Sequence, residues 1–122
     1  VVHGDGIDEF SVCGSNTVAE LGPDGSVSAY TMEPEDVGLP RYELDELSGG
    51  TPEENAALVQ GILRGNVHHA KRDVVLFNAG AAFYLAEKVP SIAEGVQLAA
   101  RLIDEGWAAR KLDEYLAFGA AA

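Results

Sequence analysis

The first eleven residues, VVHGDGIDEFS, hold the side chains of this chain that are best suited to bind a metal ion. Asp5, Asp8 and Glu9 place three carboxylates within five positions, just after a short apolar run that is predicted to be a β-strand. Carboxylate oxygens are the ligands that hard divalent cations prefer, and open α/β sheets bind their ligands in loops past the carboxyl ends of strands. Neighbouring side chains of a regular strand point to opposite faces, so Asp8 and Glu9 reach one ion only on an irregular backbone, which Gly4 and Gly6 permit. On spacing alone, a solvated acidic turn stays the more common alternative.

Other polar and aromatic side chains favour structural roles. His3, on an apolar strand, is expected in the core or behind a ligand rather than as a ligand itself. His68 and His69 have no carboxylate or cysteine at zinc spacing and are expected to form a surface pair in the connection of residues 65–71. Asn78 lies in an apolar segment, where its amide needs partners, and is expected to hydrogen-bond a loop backbone. The remaining aromatic and basic candidates are Trp107 and Tyr115, expected in the core or at a subunit edge, and Arg41, Lys71 and Arg72, for which no spacing favours a phosphate.

The composition predicts one ordinary globular domain. The chain has 122 residues and 47% hydrophobic residues, and no apolar run approaches the length of roughly 18 residues that a membrane span requires. Eight basic against twenty acidic residues give a net charge of −12, which disfavours nucleic acids and anionic membranes as partners. Residues 1–60 carry thirteen of the acids and a single base, Arg41, so the excess lies in the half that contains the candidate metal loop.

The single cysteine, Cys13, allows no internal disulfide and favours a reducing compartment, the cytoplasm, with the thiol as a small buried hydrophobic group. The chain opens without an initiator methionine and without the pattern of a signal peptide. A strand that begins at residue 1 needs neighbours to pair with, so we expect the chain to be part of a longer one.

Periodicity and turn residues divide the chain into a β part, residues 1–48, and a helical part, residues 49–122. Four strands are predicted, at residues 1–3, 10–13, 17–21 and 27–32, as a strand followed by a loop and a small antiparallel meander. Four helices are predicted, at residues 51–65, 73–87, 91–106 and 107–118, the first and third opened by the capping sequences Thr51-Pro-Glu-Glu and Ser91-Ile-Ala-Glu. The helix at 73–87 is apolar almost all round and is expected to be buried on most sides, which calls for more sheet than this chain supplies. The fold class predicted is α/β, with the missing sheet upstream.

Three strings resemble the C-terminal part of the catalytic domain of anthranilate phosphoribosyltransferase, and together they span nearly the whole chain in the right order. They are VVHGDGIDEFS, EPEDVGLPRYELDELSGGTPEENA and VLFNAGAAFYLAEKVPSIAEGVQLA. The resemblance implies the α/β fold shared with pyrimidine-type nucleoside phosphorylases, and transfer of a phosphoribosyl group from 5-phosphoribosyl-1-pyrophosphate to anthranilate. It also implies that Asp8 and Glu9 coordinate Mg²⁺ that carries the pyrophosphate, and that the complete enzyme is a homodimer.

The chain also departs from that family. The glycine-rich GTGGD loop for pyrophosphate, the KHGN stretch, the arginine that helps to hold anthranilate and the N-terminal helical domain do not occur in it. Catalytic and substrate-binding residues therefore stay unassigned, and we expect a fragment that is inactive alone. Two alternatives stay open: a related pyrimidine-type nucleoside phosphorylase, and a non-catalytic acidic binding domain.

Overall fold

The computed structural model describes residues 1–120, which form a small sheet, two short 3-10 helices and four α-helices. The strands are β1 (Val2–Gly4), β2 (Asn16–Leu21) and β3 (Val27–Met32), followed by the 3-10 helices Pro34–Val37 and Leu44–Leu47. The helices are α1 (Pro52–Leu63), α2 (Ala70–Leu85), α3 (Ile92–Asp104) and α4 (Trp107–Ala120). No helix among residues 1–120 is long and apolar enough to cross a membrane.

The three strands form one antiparallel sheet in the order β1-β2-β3. Val18, in the middle of β2, stands opposite Val2 on one side and Tyr30 on the other. The first strand therefore belongs to the meander, whereas the sequence suggested a separate strand before it. The strand-and-helix organisation itself, with a β part followed by four helices, is confirmed.

The prediction of a strand at residues 10–13 is wrong. Phe10, Ser11 and Val12 are all buried in succession, and a strand covered on one face would bury only alternate residues. The backbone of Phe10 and Ser11 bonds to the side-chain amides of Asn78 and Asn16 instead of to a neighbouring strand. These residues have strand-like composition because they are buried, not because they are paired.

The helix starts follow the capping signals. The Thr51 hydroxyl accepts from the Glu54 N–H at 3.3 Å, and the Glu54 carboxylate accepts from the Thr51 N–H at 2.7 Å, which completes a capping box. At α3, the Ser91 hydroxyl accepts from the Glu94 N–H at 3.2 Å. Both contacts satisfy N–H groups that the first turn of a helix leaves unpaired.

Helix α2 differs from its prediction in extent. It begins at Ala70, so Lys71 and Arg72 lie in its first turn rather than in the preceding connection. Its buried residues are Ala70, Leu76, Phe77, Gly80 and Ala81, and nine more are half-buried. Of its sixteen residues, only Ala82 and Leu85 are exposed, so the helix is covered on most sides, as expected.

The core lies where α2 and α3 pack together beneath the loop that follows β1. Its buried members come from the loop, strand β2, the 3-10 region and three helices; they include Phe10, Val12, Val18, Val37, Leu39, Ile62, Phe77, Val96 and Ile103. Because Phe10 and Val12 are part of this core, the backbone that carries the preceding acidic residues is attached directly to it.

Candidate functional site

A tight turn follows β1 and reverses the chain. The Gly4 N–H donates to the Ile7 carbonyl at 3.0 Å, and the Ile7 N–H donates to the Gly4 carbonyl at 3.1 Å. Asp5 and Gly6 both have positive φ, 47° and 94°, as the central residues of a type I′ turn do. The Asp-Gly sequence is typical of this turn, because aspartate tolerates and glycine readily adopts left-handed backbone. The turn sends residues 7–11 back along β1.

Gly4 is buried because the returning chain lies directly on it. A Cβ at this position would collide with the carbonyl oxygen of Glu9 and would lie 2.6 Å from the Ser11 nitrogen. Any side chain at Gly4 would therefore displace the segment that carries Asp8 and Glu9.

Asn78 of α2 holds the same segment from the other side. Its Oδ1 accepts from the Phe10 N–H at 2.9 Å, and its Nδ2 donates to the Phe10 carbonyl at 2.9 Å. The Phe10 ring stacks on Phe77, with 4.4 Å between the ring centroids. The bond from Asn78 to a loop backbone, which the sequence predicted, is confirmed.

Asn16 is a third anchor, and the sequence did not single it out. It is completely buried at the start of β2, its Oδ1 accepts from the Ser11 N–H at 2.7 Å, and its Nδ2 donates to the Ser11 carbonyl at 3.0 Å. The same Nδ2 lies within hydrogen-bonding distance of the Gly14 and Met32 carbonyls. In the sequence, Gly14-Ser15-Asn16 has the composition of a turn. Nothing in that pattern indicates that the Asn16 side chain is buried and holds the Ser11 backbone.

Asp8 and Glu9 are both exposed at the head of this anchored loop. Neither side chain forms a hydrogen bond or an ion pair with any residue between 1 and 120. No group of three or more metal-binding side chains occurs among these residues, so the protein offers a pair of carboxylates rather than a closed cage. This donor set suits Mg²⁺, which is commonly held by one or two carboxylates together with water and substrate phosphates. The third acid, Asp5, lies beside Gly14. A Cβ placed on Gly14 would lie 2.5 Å from Oδ2 of Asp5.

The other predicted side chains lie away from this arrangement or contribute little to it. His3 is exposed rather than in the core, and its Nε2 accepts from the Gly6 N–H at 3.3 Å. His68 and His69 are exposed, as predicted for a surface pair. Trp107 and Tyr115 are 50% and 73% exposed, which excludes the core and leaves the subunit edge of the two places expected for them.

The cysteine and the basic residues have structural surroundings. Cys13 is half-buried, and burial raises the pKa of its thiol. Arg41 pairs with Glu35 at 3.1 Å and with Glu33 at 2.6 Å, and these carboxylates raise its pKa. Arg72 donates to Asp104 at 2.7 Å and so links α2 to α3. The side chain of Lys71 is half-buried.

Two carboxylates, Glu20 and Asp73, link the β part to α2 by accepting from tyrosine hydroxyls. The hydroxyls of Tyr84 and Tyr30 donate to the two oxygens of Glu20, at 2.6 Å and 2.9 Å, and together they lower the pKa of that carboxyl group. The Tyr42 hydroxyl donates to Asp73 at 2.7 Å. The pKa of Tyr42 is raised to about 12, mainly by burial and secondly by this hydrogen bond. The sheet and the loop thus have a fixed position relative to α2.

Comparison with known proteins decides the family. The family model described as "Glycosyl transferase family, a/b domain" matches residues 1–109. The chain belongs to this family. The anthranilate phosphoribosyltransferase of Natronomonas pharaonis is 51% identical over 92% of the chain, which corresponds to 33% of that enzyme. The chain spans about a third of the length of the curated relatives that it matches.

Solved structures of family members have the same fold. The enzyme of the same name from Thermus thermophilus superposes with a TM-score of 0.89 at 46% identity, over 97% of this chain and 34% of that one. The Saccharomyces cerevisiae enzyme, in complex with PRPP and Mg, has a TM-score of 0.87 at 28% identity over 99% of this chain and 35% of that one. The same yeast enzyme has also been solved in complex with 4-fluoroanthranilate. The glycosyl transferase membership argues against the alternative of a non-catalytic binding domain.

Proposed function

We propose that this chain forms the C-terminal part of the catalytic domain of an anthranilate phosphoribosyltransferase. The reaction breaks the bond from ribose C1 to pyrophosphate, forms a bond from C1 to the amine nitrogen of anthranilate, and releases pyrophosphate and the amine proton. The single observation that carries the proposal is the 51% identity, over nearly the whole chain, with a curated enzyme of this name. The complexes of the yeast enzyme with PRPP and Mg and with 4-fluoroanthranilate support the choice of substrates.

Within this reaction, we assign Asp8 and Glu9 to Mg²⁺ binding. The donor chemistry fits, because the two carboxylates are exposed and have no cationic partner among residues 1–120. Asp8 and Glu9 would hold the ion, and the chemistry that it would supply when bound is neutralisation of the negative charge that develops on a departing pyrophosphate. The contribution of the chain is to present both carboxylates from a loop that is fixed on Gly4, Asn16 and Asn78.

No covalent nucleophile is required of this chain. The amine of anthranilate is itself a nucleophile once it is desolvated and aligned, so positioning and charge stabilisation supply the catalysis. The pyrophosphate loop and the anthranilate-binding residues would come from the part of the enzyme that lies outside the matched third. We extend the proposal to a cytoplasmic homodimer, which is supported by the single cysteine and by the family resemblance.

The test is a chimera in which this chain replaces the matching third of the Natronomonas pharaonis enzyme. We expect Mg²⁺-dependent formation of phosphoribosylanthranilate, and a loss of at least about 100-fold in kcat/KM for the double variant Asp8→Asn/Glu9→Gln. Asp45→Asn/Glu53→Gln is the matched control, because both acids are exposed and neither side chain forms a hydrogen bond within the described part of the chain. Both double variants change the net charge equally.

Three outcomes would contradict the proposal. Equal activity of the two double variants would contradict the assignment of Asp8 and Glu9. Phosphorolysis of a nucleoside without any divalent cation would instead favour the related phosphorylase. Turnover by the 122-residue chain alone would contradict the division of the machinery between this chain and the rest of the enzyme.

A further inference from the structure

We propose that Asn78 is a positioning residue for the metal-binding pair, and that it fixes Asp8 and Glu9 through the backbone of Phe10. This inference rests on the function proposed above. Asp8 and Glu9 have no side-chain partners among residues 1–120, so their direction depends on how firmly their backbone is held.

The amide of Asn78 engages both hydrogen-bonding groups of Phe10, as a neighbouring strand would. Its Oδ1 accepts from the Phe10 N–H and its Nδ2 donates to the Phe10 carbonyl, each at 2.9 Å. Nδ2 also donates to the Val74 carbonyl, one turn earlier in α2, at 3.0 Å. Because Nδ2 faces two carbonyls, the opposite orientation of the amide would set oxygen against oxygen, so this orientation is determined.

The peptide unit between Glu9 and Phe10 is consequently held at both ends. Its N–H points to Asn78, and its carbonyl oxygen lies against Gly4, where no Cβ fits. The Phe10 side chain is anchored on the same turn of α2 by stacking on Phe77. Rotation of this peptide plane would redirect the Cα–Cβ bond of Glu9, and with it the carboxylate.

The stacking of Phe10 on Phe77 already attaches the loop to α2, so the contribution of the Asn78 amide is the orientation of the loop backbone. Stacked rings tolerate sliding, whereas two hydrogen bonds to one residue fix its backbone orientation. Two like-charged neighbours must be brought to one cation, and a backbone that is fixed before binding reduces the ordering cost of binding. Partners that orient metal ligands typically change metal affinity by about 10-fold to 100-fold when they are removed.

The first experiment uses Mn²⁺ alone as the probe of the 122-residue chain. Mn²⁺ binding is followed by paramagnetic broadening of the backbone amide signals of residues 5–11. We expect Asn78→Leu, which has a similar volume and lacks both hydrogen bonds, to raise the Mn²⁺ dissociation constant by about 10-fold or more. Hydrogen exchange at the Phe10 amide should become faster in the same variant, because its acceptor is lost.

Two control variants separate positioning from general stability. Asn55→Leu removes an equivalent pair of bonds, in which the Asn55 amide engages the N–H and the carbonyl of Gly50 at 2.9 Å and 3.1 Å. Ile103→Val lowers core stability away from the loop. Neither should alter Mn²⁺ broadening. In the chimera, Asn78→Leu should raise the Mg²⁺ concentration for half-maximal rate while kcat at saturating Mg²⁺ is retained.

The outcomes distinguish this inference from the proposed function. If Asp8→Asn/Glu9→Gln abolishes Mn²⁺ broadening and Asn78→Leu keeps the wild-type affinity, the positioning role is wrong and the metal assignment stands. If the wild-type chain shows no broadening at residues 5–11 and the chimera is indifferent to the acidic double variant, the assignment of Asp8 and Glu9 to the metal fails, and the positioning role fails with it. If the chimera forms no phosphoribosylanthranilate, the proposed function itself fails. An equal effect of Ile103→Val would also overturn the inference. Should Asn78→Leu fail to fold, Asn78→Ala, which also lacks both hydrogen bonds and adds no charge, provides the same comparison.

Discussion

Gly80 of α2 and Gly95 of α3 bring the backbones of the two helices into direct contact. A Cβ on Gly95 would collide with the carbonyl oxygen of Gly80, and a Cβ on Gly80 would lie 2.6 Å from the Val96 nitrogen. Both glycines are buried. Because neither glycine carries a side chain, the helices approach closely enough for Val96 to pack into the core that also contains Phe77. This approach leaves no room for a methyl group at either position.

This contact predicts a large effect of a single methyl group. Gly95→Ala forces α2 and α3 apart, since the atoms that it meets are backbone and cannot rotate away. We expect the free energy of unfolding to fall by about 2 kcal/mol or more, measured by urea unfolding of the 122-residue chain.

A matched substitution in α4 shows whether the cause is the contact. Gly119 is also helical, but a Cβ there would meet no atom of residues 1–120 within 4 Å. Gly119→Ala should be neutral or stabilising by up to about 1 kcal/mol, because alanine favours helix. Equal destabilisation by both substitutions would contradict the account of close packing.

The sequence predicts this fold best where the cause is local. The starts of α1 and α3 follow from a hydroxyl and a glutamate three residues later, and the structure shows Thr51 and Ser91 capping as predicted. The contact between Gly80 and Gly95 could not be predicted, because it exists only once two helices are placed together. The strand predicted at residues 10–13 is absent for a related reason. Apolar residues buried by a neighbouring helix have the same composition as those buried in a sheet.

The candidate site divides in the same way. Asp8 and Glu9 stand out because two carboxylates follow a strand and a glycine turn within a few residues. The anchors of their loop are distant in sequence or look like ordinary turn residues, as Asn78 and Asn16 do. The sequence therefore indicated the two proposed metal ligands and a bond from Asn78 to a loop backbone, but it did not indicate that this loop carries Asp8 and Glu9 or that Asn16 holds it as well.

Asn16 should be far more important for stability than its place among turn residues suggests. Asn16→Ala leaves the N–H and the carbonyl of Ser11 without their buried partners. We expect a loss of about 3 kcal/mol, since unsatisfied buried polar groups cost about 1–3 kcal/mol each. Asn66→Ala, at an exposed asparagine, should change the free energy of unfolding by less than about 0.5 kcal/mol. Similar values for the two variants would contradict the role assigned to Asn16.

Glu20 should give the stability of the protein an acid-dependent component. The hydroxyls of Tyr84 and Tyr30 lower the pKa of the folded-state carboxyl group below its ordinary value of 4.5, so the unfolded chain binds the proton more readily. This stabilisation is complete above pH 4.5 and is lost as the pH falls through the lowered folded-state pKa. Glu20→Gln should therefore be less stable than wild type at neutral pH and should show a shallower decline in acid. Urea unfolding at several pH values measures this, and parallel curves for the two proteins would contradict it.

Gly6 and Gly25 provide a matched pair for separating backbone strain from metal binding. Both have positive φ, 94° and 82°, and a Cβ on either would have no neighbour within 4 Å among the residues that the structure describes. Alanine at either position should therefore cost about 1–2 kcal/mol of stability through strain alone. Gly6 lies in the turn beside Asp8, whereas Gly25 lies in the turn between β2 and β3, at the opposite end of β2.

Of these two substitutions, only Gly6→Ala should weaken Mg²⁺ binding. Because strain at Gly6 is relieved by movement of residues 5–9, Gly6→Ala should raise the Mg²⁺ concentration for half-maximal activity of the chimera by about 10-fold. Gly25→Ala, at the same cost in thermal stability, should leave that concentration unchanged. If the two variants shift the Mg²⁺ dependence equally, overall stability and not the geometry of the turn controls the carboxylate pair.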